Sequence, residues 1–243
     1  MGRLRRLLSI AAVVTALSVS VLPAASAQDG PMAAEGLSGE LTLVHGVPDL
    51  LVDITVKGKF FGSKTVVEDV PFETVATLPL SFDKYKVQIR AAGADPKSAP
   101  ILQRSVWIGI RDKAVVAHLD ADGAPTMSKF NNTTFLLEDG TSKVVVRHLA
   151  EAPKVDIIAN DALTLIDGLK NGKQKSVRVP SDTYTVKVAA DADNSVVVFD
   201  EDLTFNCGEV TIVYAVGSLA DENFTVLSQV VDAKYVWGGA GPK

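Results

Sequence analysis

The chain has one cysteine and three histidines among its 243 residues. A single cysteine excludes an internal disulfide bond, a cysteine-rich zinc site and an iron–sulfur cluster. Basic side chains are outnumbered by acidic ones, and the formal net charge is −5. This balance argues against a nucleic-acid-binding protein, because phosphates require a basic surface. With 47% hydrophobic residues, the chain is also too apolar to be a disordered tail.

Long apolar runs are missing beyond the N-terminus. There, three arginines precede an apolar run from Leu7 to Leu22, and Ala25-Ser26-Ala27 follows as a small-residue cleavage pattern. The run of about 16 residues is shorter than the roughly 20 that a spanning helix needs. We therefore expect residues 1–27 to be a cleaved signal peptide, with no transmembrane anchor left after cleavage. Cleavage removes three arginines and no acidic residue, so the net charge changes from −5 to −8.

The remaining chain contains an internal repeat. His45 and Asp53 match His148 and Asp156, and both pairs are 103 residues apart. The segment around Tyr85 matches the segment around Tyr184 at an offset of 99. We predict two copies, at residues 37–130 and 140–232, joined by a linker at 131–139 and followed by a flexible tail at 233–243.

Apolar and polar residues alternate within each copy. Val52, Ile54 and Val56 alternate with polar neighbours, which is the period of a half-buried strand. About seven such short runs per copy, separated by turn residues, predict an all-β protein with two tandem immunoglobulin-like antiparallel β-sandwich domains. A single barrel through both halves is the alternative. Two sandwiches predict that fragments 37–135 and 138–233 fold separately, with proteolysis between 126 and 142.

Three segments resemble the domain-of-unknown-function 4397 family. They are Leu43-Val44-His45-Gly46-Val47-Pro48, Val52–Gly58 and the later Tyr-Thr-Val-Lys-Val motif. The resemblance covers nearly all of residues 40–232 and departs from the family at Asp83 and Asp182, where glycine is common before the tyrosine. Family members are secreted or surface-displayed bacterial proteins, often built of paired β-sandwich copies. The resemblance therefore implies a fold and an export route, but no functional residue.

The repeated histidines and aspartates are the first candidates for a catalytic or metal site. In an extended strand, His45 lies on the same side as Leu43, whereas Asp53 lies on the side opposite to Val52 and Ile54. If the apolar residues face one core, the histidine and the aspartate point to different sides. We therefore predict a histidine at the edge of the core, bonded to a loop carbonyl, and an aspartate on the surface or capping a turn.

Other side chains give weaker signals. Cys207 lies in a turn, and we expect its thiol to be partly buried. The acidic turns Asp120–Gly123 and Asp191–Asn194 have an oxygen spacing seen in calcium loops but lack a late glutamate. Asp200, Glu201 and Asp202 are further carboxylates that another loop offers to such a site. Trp107 is predicted to lie in the core and Trp237 in the tail. Asn131-Asn132-Thr133 and Asn223-Phe224-Thr225 are glycosylation sequons in a host with that machinery.

No catalytic, cofactor-binding or metal-binding residue is therefore assigned from the sequence. We expect an exported, non-enzymatic protein, secreted or associated with the cell envelope, that acts in binding or adhesion. Its expected partner is an envelope protein or glycan, with no nucleic acid and no cofactor. A hydrolase of envelope polymers with His45 or His148 as base, and a ligand-free spacer, are the alternatives. We expect Tyr85 and Tyr184 to be largely buried, because each begins an alternating apolar face.

Overall fold

The computed structural model describes residues 38–132, 137–189 and 197–233. Alternating apolar residues form sixteen strands in these ranges. The strands are β1 (Ser38–Gly46), β2 (Val52–Gly58), β3 (Lys64–Val70), β4 (Thr74–Ser81), β5 (Asp83–Ala91), β6 (Leu102–Ile108), β7 (Lys113–Leu119), β8 (Pro125–Asn131), β9 (Thr141–His148), β10 (Val155–Ala159), β11 (Leu163–Leu169), β12 (Lys173–Pro180), β13 (Asp182–Ala189), β14 (Val197–Phe205), β15 (Glu209–Val216) and β16 (Thr225–Asp232). The predicted signal peptide and the segment 234–243 lie outside the described residues.

The strands form four sheets of four strands, two in each copy. In the first copy, outer sheet 1 has the order β3-β2-β5-β6 and inner sheet 1 the order β4-β1-β7-β8. In the second copy, outer sheet 2 is β11-β10-β13-β14 and inner sheet 2 is β12-β9-β15-β16. The predicted tandem β-sandwich fold is thus confirmed. One refinement concerns strand direction, because β1 pairs with β7, and β9 with β15, in parallel.

Each sandwich has its own hydrophobic core between its two sheets. The first contains Leu41, Ile54 and Val87, and the second contains Val144, Ile157 and Val188. Successive residues of a strand face opposite sides, so burial of every second residue in β2 and β10 fits one covered face.

A third apolar cluster joins the two copies. It contains Val44 and Val116 from inner sheet 1 and Ile212, Tyr214 and Val216 from inner sheet 2. Both faces of the central inner strands β1, β7, β9 and β15 are therefore buried, which explains their nearly continuous apolar sequence. The edge strands β4, β8 and β12 keep exposed residues. The molecule is a stack of four sheets in which the two inner sheets contact each other.

The two repeated tyrosines have different environments. Tyr85 is 2% exposed, as predicted, whereas Tyr184 is only half-buried and packs against Phe205. Both hydroxyl groups donate to a backbone carbonyl four residues upstream, that of Ser81 or Pro180, at 3.0 Å. The shared bond indicates a repeated corner at the start of β5 and β13.

Candidate binding surface

The repeated histidines are structural in their contacts. His45 Nε2 donates to the carbonyl of Leu50 at 2.7 Å, and His148 Nε2 donates to that of Pro153 at 2.8 Å. These are the loop-carbonyl bonds that the sequence predicted. Burial lowers the pKa of both imidazoles, while the carbonyl bonds oppose this shift. With Nε2 as the donor, Nδ1 is unprotonated, and it has no partner among the described residues.

The aspartates of the repeat lie in other sheets than the histidines. Asp53 on β2 accepts from the backbone N–H groups of Asp69 and Gly93, both at 3.0 Å. Asp156 on β10 accepts from Gly168 N–H at 2.6 Å. These carboxylates therefore hold turns of the outer sheets, and the fold does not bring them to the histidines of β1 and β9.

The acidic turns also have structural contacts. Asp120 Oδ1 accepts from the backbone N–H groups of Asp122 and Ala124 at 3.0 and 2.9 Å. Asp200 pairs with Lys187, and Asp202 accepts from the Thr185 hydroxyl. Within residues 38–132, 137–189 and 197–233, no three histidine, cysteine or carboxylate side chains are grouped as metal ligands. The turn at 191–194 lies outside the described residues.

Besides that for Tyr184, two further expectations about burial were wrong. Cys207 is exposed, because it lies in the two-residue turn before β15 and not in a strand that packs on the core. Its sulfur accepts from Gly140 N–H at 3.2 Å. Trp107 is 56% exposed instead of buried. It lies on the opposite face of β6 from Val106 and Ile108, whose side chains are buried in the core. Trp237 lies outside the described residues.

The exposed tryptophan lies on a basic face of outer sheet 1. Strand pairing places Lys64, Lys57, Lys86 and Ser105 opposite one another in one row across β3, β2, β5 and β6. The next row contains Lys84 opposite Trp107. Paired residues project to the same side of a sheet. We call the surface formed by Lys57, Lys59, Lys64, Lys84, Lys86 and Trp107 the lysine face.

The lysine face has no internal charge compensation. No carboxylate of the described residues lies within 4.0 Å of its ammonium groups. Like charges directly opposite one another destabilise a sheet, so the row of Lys64, Lys57 and Lys86 opposes folding. An open groove of about 500 Å³ follows this row and is lined by lysines together with Gln88 and Ser105. The surface is thus suited to an external anion.

An aromatic loop borders the lysine face. Phe60 and Phe61, in the loop between β2 and β3, are 60% and 75% exposed. The Phe60 ring contacts Trp107 edge-on, with centroids 6.2 Å apart, and Lys59 Nζ lies 5.2 Å from the Phe60 centroid. Four apolar groups, Phe60, Phe61, Trp107 and Ile110, therefore lie exposed at one end of the sandwich.

A buried carboxylate holds this loop in place. Asp83 is 1% exposed and accepts from Phe60 N–H at 3.0 Å, Phe61 N–H at 3.3 Å and Lys84 N–H at 2.6 Å. The loop also closes on itself through Gly58 N–H and the Ser63 carbonyl, at 2.8 Å. Asp83 thus orders the backbone of the loop that carries the aromatic side chains.

The second copy lacks these features. Thr183 and Thr185 occupy the positions of Lys84 and Lys86, and Thr204 stands opposite Thr183 where Trp107 stands opposite Lys84. The β10–β11 connection is a short turn with positive φ at Asn160 and Asp161. Residues 38–132 contain eleven basic and eleven acidic side chains, whereas residues 137–233 contain eight and sixteen. The lysine face and its aromatic loop are therefore confined to the first copy.

Sequence reasoning missed this surface, although its signal is present. Lys57 and Lys59, and Lys84 and Lys86, alternate with inward-facing residues. Such alternation indicates an exposed side of a strand but not which strand is its neighbour. Only the register of β2 with β5 brings the two pairs together.

Comparison with known proteins gives a match to a family model and a distant likeness to solved structures. The TIE protein of Bacillus anthracis is 13% identical, with a TM-score of 0.26, over 70% of this chain. The chain spans 32% of that protein's length. No curated protein matches the sequence significantly. The family model described as domain of unknown function (DUF4397) matches residues 39–158, from β1 into β10. This match confirms, over the first copy and the start of the second, the resemblance to the DUF4397 family that the sequence predicted.

Proposed function

We propose that this chain is an exported binding protein of the cell envelope that recognises its partner through the lysine face. The single observation that carries the proposal is the grouping of five uncompensated lysines beside ordered, exposed aromatic side chains. Such a face costs stability, so its presence in an otherwise acidic chain favours a role in binding.

Export is supported by the N-terminal pattern of arginines, an apolar run and Ala25-Ser26-Ala27. The described ranges contain no helix with the length and apolarity needed to cross a bilayer. We expect the mature protein to begin at Gln28. Mass spectrometry of the protein recovered outside the cytoplasm tests this expectation, and an intact Met1 would contradict it.

A non-enzymatic role is supported by the contacts of the candidate catalytic groups. A catalytic site needs a base, an orienting acid and a nucleophile in one cleft. The histidines instead bond to loop carbonyls, and the repeat's aspartates hold turns in other sheets. Hydrolysis of a cell-wall or glycan substrate that is lost in His45→Gln, at an unchanged melting temperature, would overturn this part of the proposal.

The binding proposal is tested by sedimentation of the mature protein with isolated bacterial envelopes. We expect the wild-type protein to sediment and the double variant Lys84→Gln/Lys86→Gln to remain mostly in the supernatant. Lys154→Gln/Lys170→Gln is the matched control, because it removes two exposed charges from the second copy. Equal sedimentation of all three proteins would show that the lysine face is not the binding surface. No sedimentation of the wild-type protein would favour the ligand-free spacer.

A further inference from the structure

We infer that the lysine face binds an acidic polysaccharide, with a sugar ring on Trp107 and the anionic groups of the polymer along the lysine rows. This inference rests on the proposed function and specifies its ligand. Three features carry it: the spacing of the cations, the polar groups beside them and the position of the aromatic rings.

The cations are arranged as a track. Lys64, Lys57 and Lys86 lie on three adjacent strands, which are about 4.8 Å apart in a sheet. Lys84 and Lys59 continue the track toward the aromatic loop, where Lys59 N–H donates to the Lys84 carbonyl at 2.9 Å. The lysine side chain is flexible and carries its charge at one point, whereas the planar guanidinium of arginine binds one planar anion in a fixed geometry. Such a track suits a polymer with an anionic group on successive units.

Polar uncharged groups accompany the lysines. Ser105 stands opposite Lys86, and Gln88 stands opposite Gln103 in the following row. Hydroxyl and amide groups can bond to sugar hydroxyls, which a surface made only of cations cannot. This combination of charge and hydrogen-bonding groups favours a charged sugar over a simple inorganic anion.

The aromatic rings are at one end of the track. Trp107 and Phe60 form one edge-on pair, and Asp83 fixes the loop that carries Phe60. A ring held in place before binding reduces the entropy lost on association. Proteins that bind single-stranded nucleic acid instead need aromatic side chains along the strand for successive bases.

The test is calorimetric titration of the mature protein with oligogalacturonate and with heparin oligosaccharides. Fully methyl-esterified oligogalacturonate is the matched ligand, because it keeps the sugar backbone and loses the charge. We expect at least one acidic oligosaccharide to bind, and the ester to bind at least 10-fold more weakly than the acid. Binding should weaken as the salt concentration rises, because salt screens the lysines.

Variants separate the parts of the site. Lys84→Gln/Lys86→Gln and Trp107→Ala should each weaken acidic-oligosaccharide binding at least 10-fold, and Lys154→Gln/Lys170→Gln should leave it unchanged. Lys57→Glu should weaken binding but raise the melting temperature, because it replaces a like-charge row by two opposite-charge pairs. A lower melting temperature for this variant would contradict the claim that Lys57 lies in a row of like charges that opposes folding.

Several outcomes would overturn the inference. They are no binding of either acidic oligosaccharide, equal binding of the methyl ester, and stronger binding to phosphatidylglycerol vesicles or to an oligothymidylate. If envelope sedimentation still depends on Lys84 and Lys86 in such a case, the proposed function stands and only its ligand is wrong. If sedimentation is independent of both lysines, the proposed function fails as well.

Discussion

Arg147 is a fully buried cation between the two sandwiches. Its guanidinium donates to the Tyr214 hydroxyl at 2.9 Å, the Asn132 side-chain oxygen at 2.9 Å and the Asn131 carbonyl at 3.1 Å. It also lies over the Phe130 ring, 4.5 Å from the centroid. Burial lowers the pKa of this arginine, and the contacts with Tyr214 oppose the shift. Neutral oxygens and an aromatic face thus compensate a charge that burial disfavours.

We predict that Arg147→Lys destabilises the protein by about 3 kcal/mol, because one ammonium group cannot reach the same set of acceptors. Urea unfolding followed by circular dichroism measures the loss. Arg178→Lys is the control, since Arg178 forms only an exposed pair with Glu138 at 3.3 Å, and should change stability by less than about 0.5 kcal/mol. Equal effects of the two changes would mean that the buried network contributes little.

All three histidines are buried, and desolvation lowers the pKa of His45, His118 and His148. Their protonation is therefore disfavoured in the folded state. Below the unfolded pKa of about 6.5, the unfolded chain binds protons that the folded chain does not. Stability from these groups is complete above that pH and is lost as the pH falls toward the folded pKa values.

We predict that the free energy of unfolding falls between pH 7 and 5.5, by up to about 1.4 kcal/mol per pH unit for each histidine. Urea midpoints at several pH values measure this slope. His118→Gln should reduce the slope, although it lowers stability at pH 7 because it disturbs the contacts of the ring with Leu119 and Ser128. The same slope in the wild-type and variant proteins would show that His118 titrates normally.

At the scale of elements, the two copies differ most at the corner between the second and third strands. In the first copy, five residues connect β2 to β3, and buried Asp83 binds their backbone. In the second copy, three residues connect β10 to β11, and the matching Asp182 is exposed and accepts only from Thr183 N–H at 2.8 Å. The same sequence position thus orders a loop in one copy and has a minor local role in the other.

We predict that Asp83→Ala destabilises the protein by about 2–3 kcal/mol, because several backbone N–H groups lose their buried acceptor. Amide hydrogen exchange at Phe60 and Phe61 should also become faster. This measurement reports the loss of order in the loop itself, whereas chemical denaturation reports only the stability of the whole protein. Asp182→Ala should cost less than about 1 kcal/mol. Unchanged exchange at Phe60 in Asp83→Ala would contradict the ordering role of this carboxylate.

At the scale of the whole molecule, the two inner sheets pack closely face to face. A Cβ atom on Gly46 would lie 2.6 Å from Val216 Cγ1, so glycine permits the close approach of β1 to β15. Polar bonds surround the apolar contact, such as Gln229 Nε2 to Thr42 Oγ1 at 3.0 Å and Asn171 Nδ2 to the Leu119 carbonyl at 3.0 Å. The interface therefore resembles a protein interior and fixes the two sandwiches relative to each other.

We predict that fragments 37–135 and 138–233 each fold, because each contains a separate core, but that both are less stable than the full chain. Mixing them should give a 1:1 complex by analytical ultracentrifugation, since each exposes its half of the third cluster. The full chain should unfold in one transition. Two transitions at the midpoints of the isolated fragments would show that the interface adds no stability.

The similarity of matching segments was sufficient to predict the repeat. The alternation of single strands predicted the β-sandwich class and the carbonyl-bonded histidines, because a period of two among residues near one another in sequence identifies the buried face of a strand. The same pattern identified Lys57 and Lys86 as exposed but left them as separate solvated positions. It also gave no reason to bury Arg147, whose polar side chain interrupts an apolar strand.

Strand register and sheet packing decided what alternation left open. The pairing of β2 with β5 and of β5 with β6 gathers the lysines and Trp107 on one face, and packing of the inner sheets buries Arg147. Both depend on contacts between residues far apart in the chain. The order of neighbouring strands is set by the fit of whole hydrophobic faces, and no local sequence period encodes it.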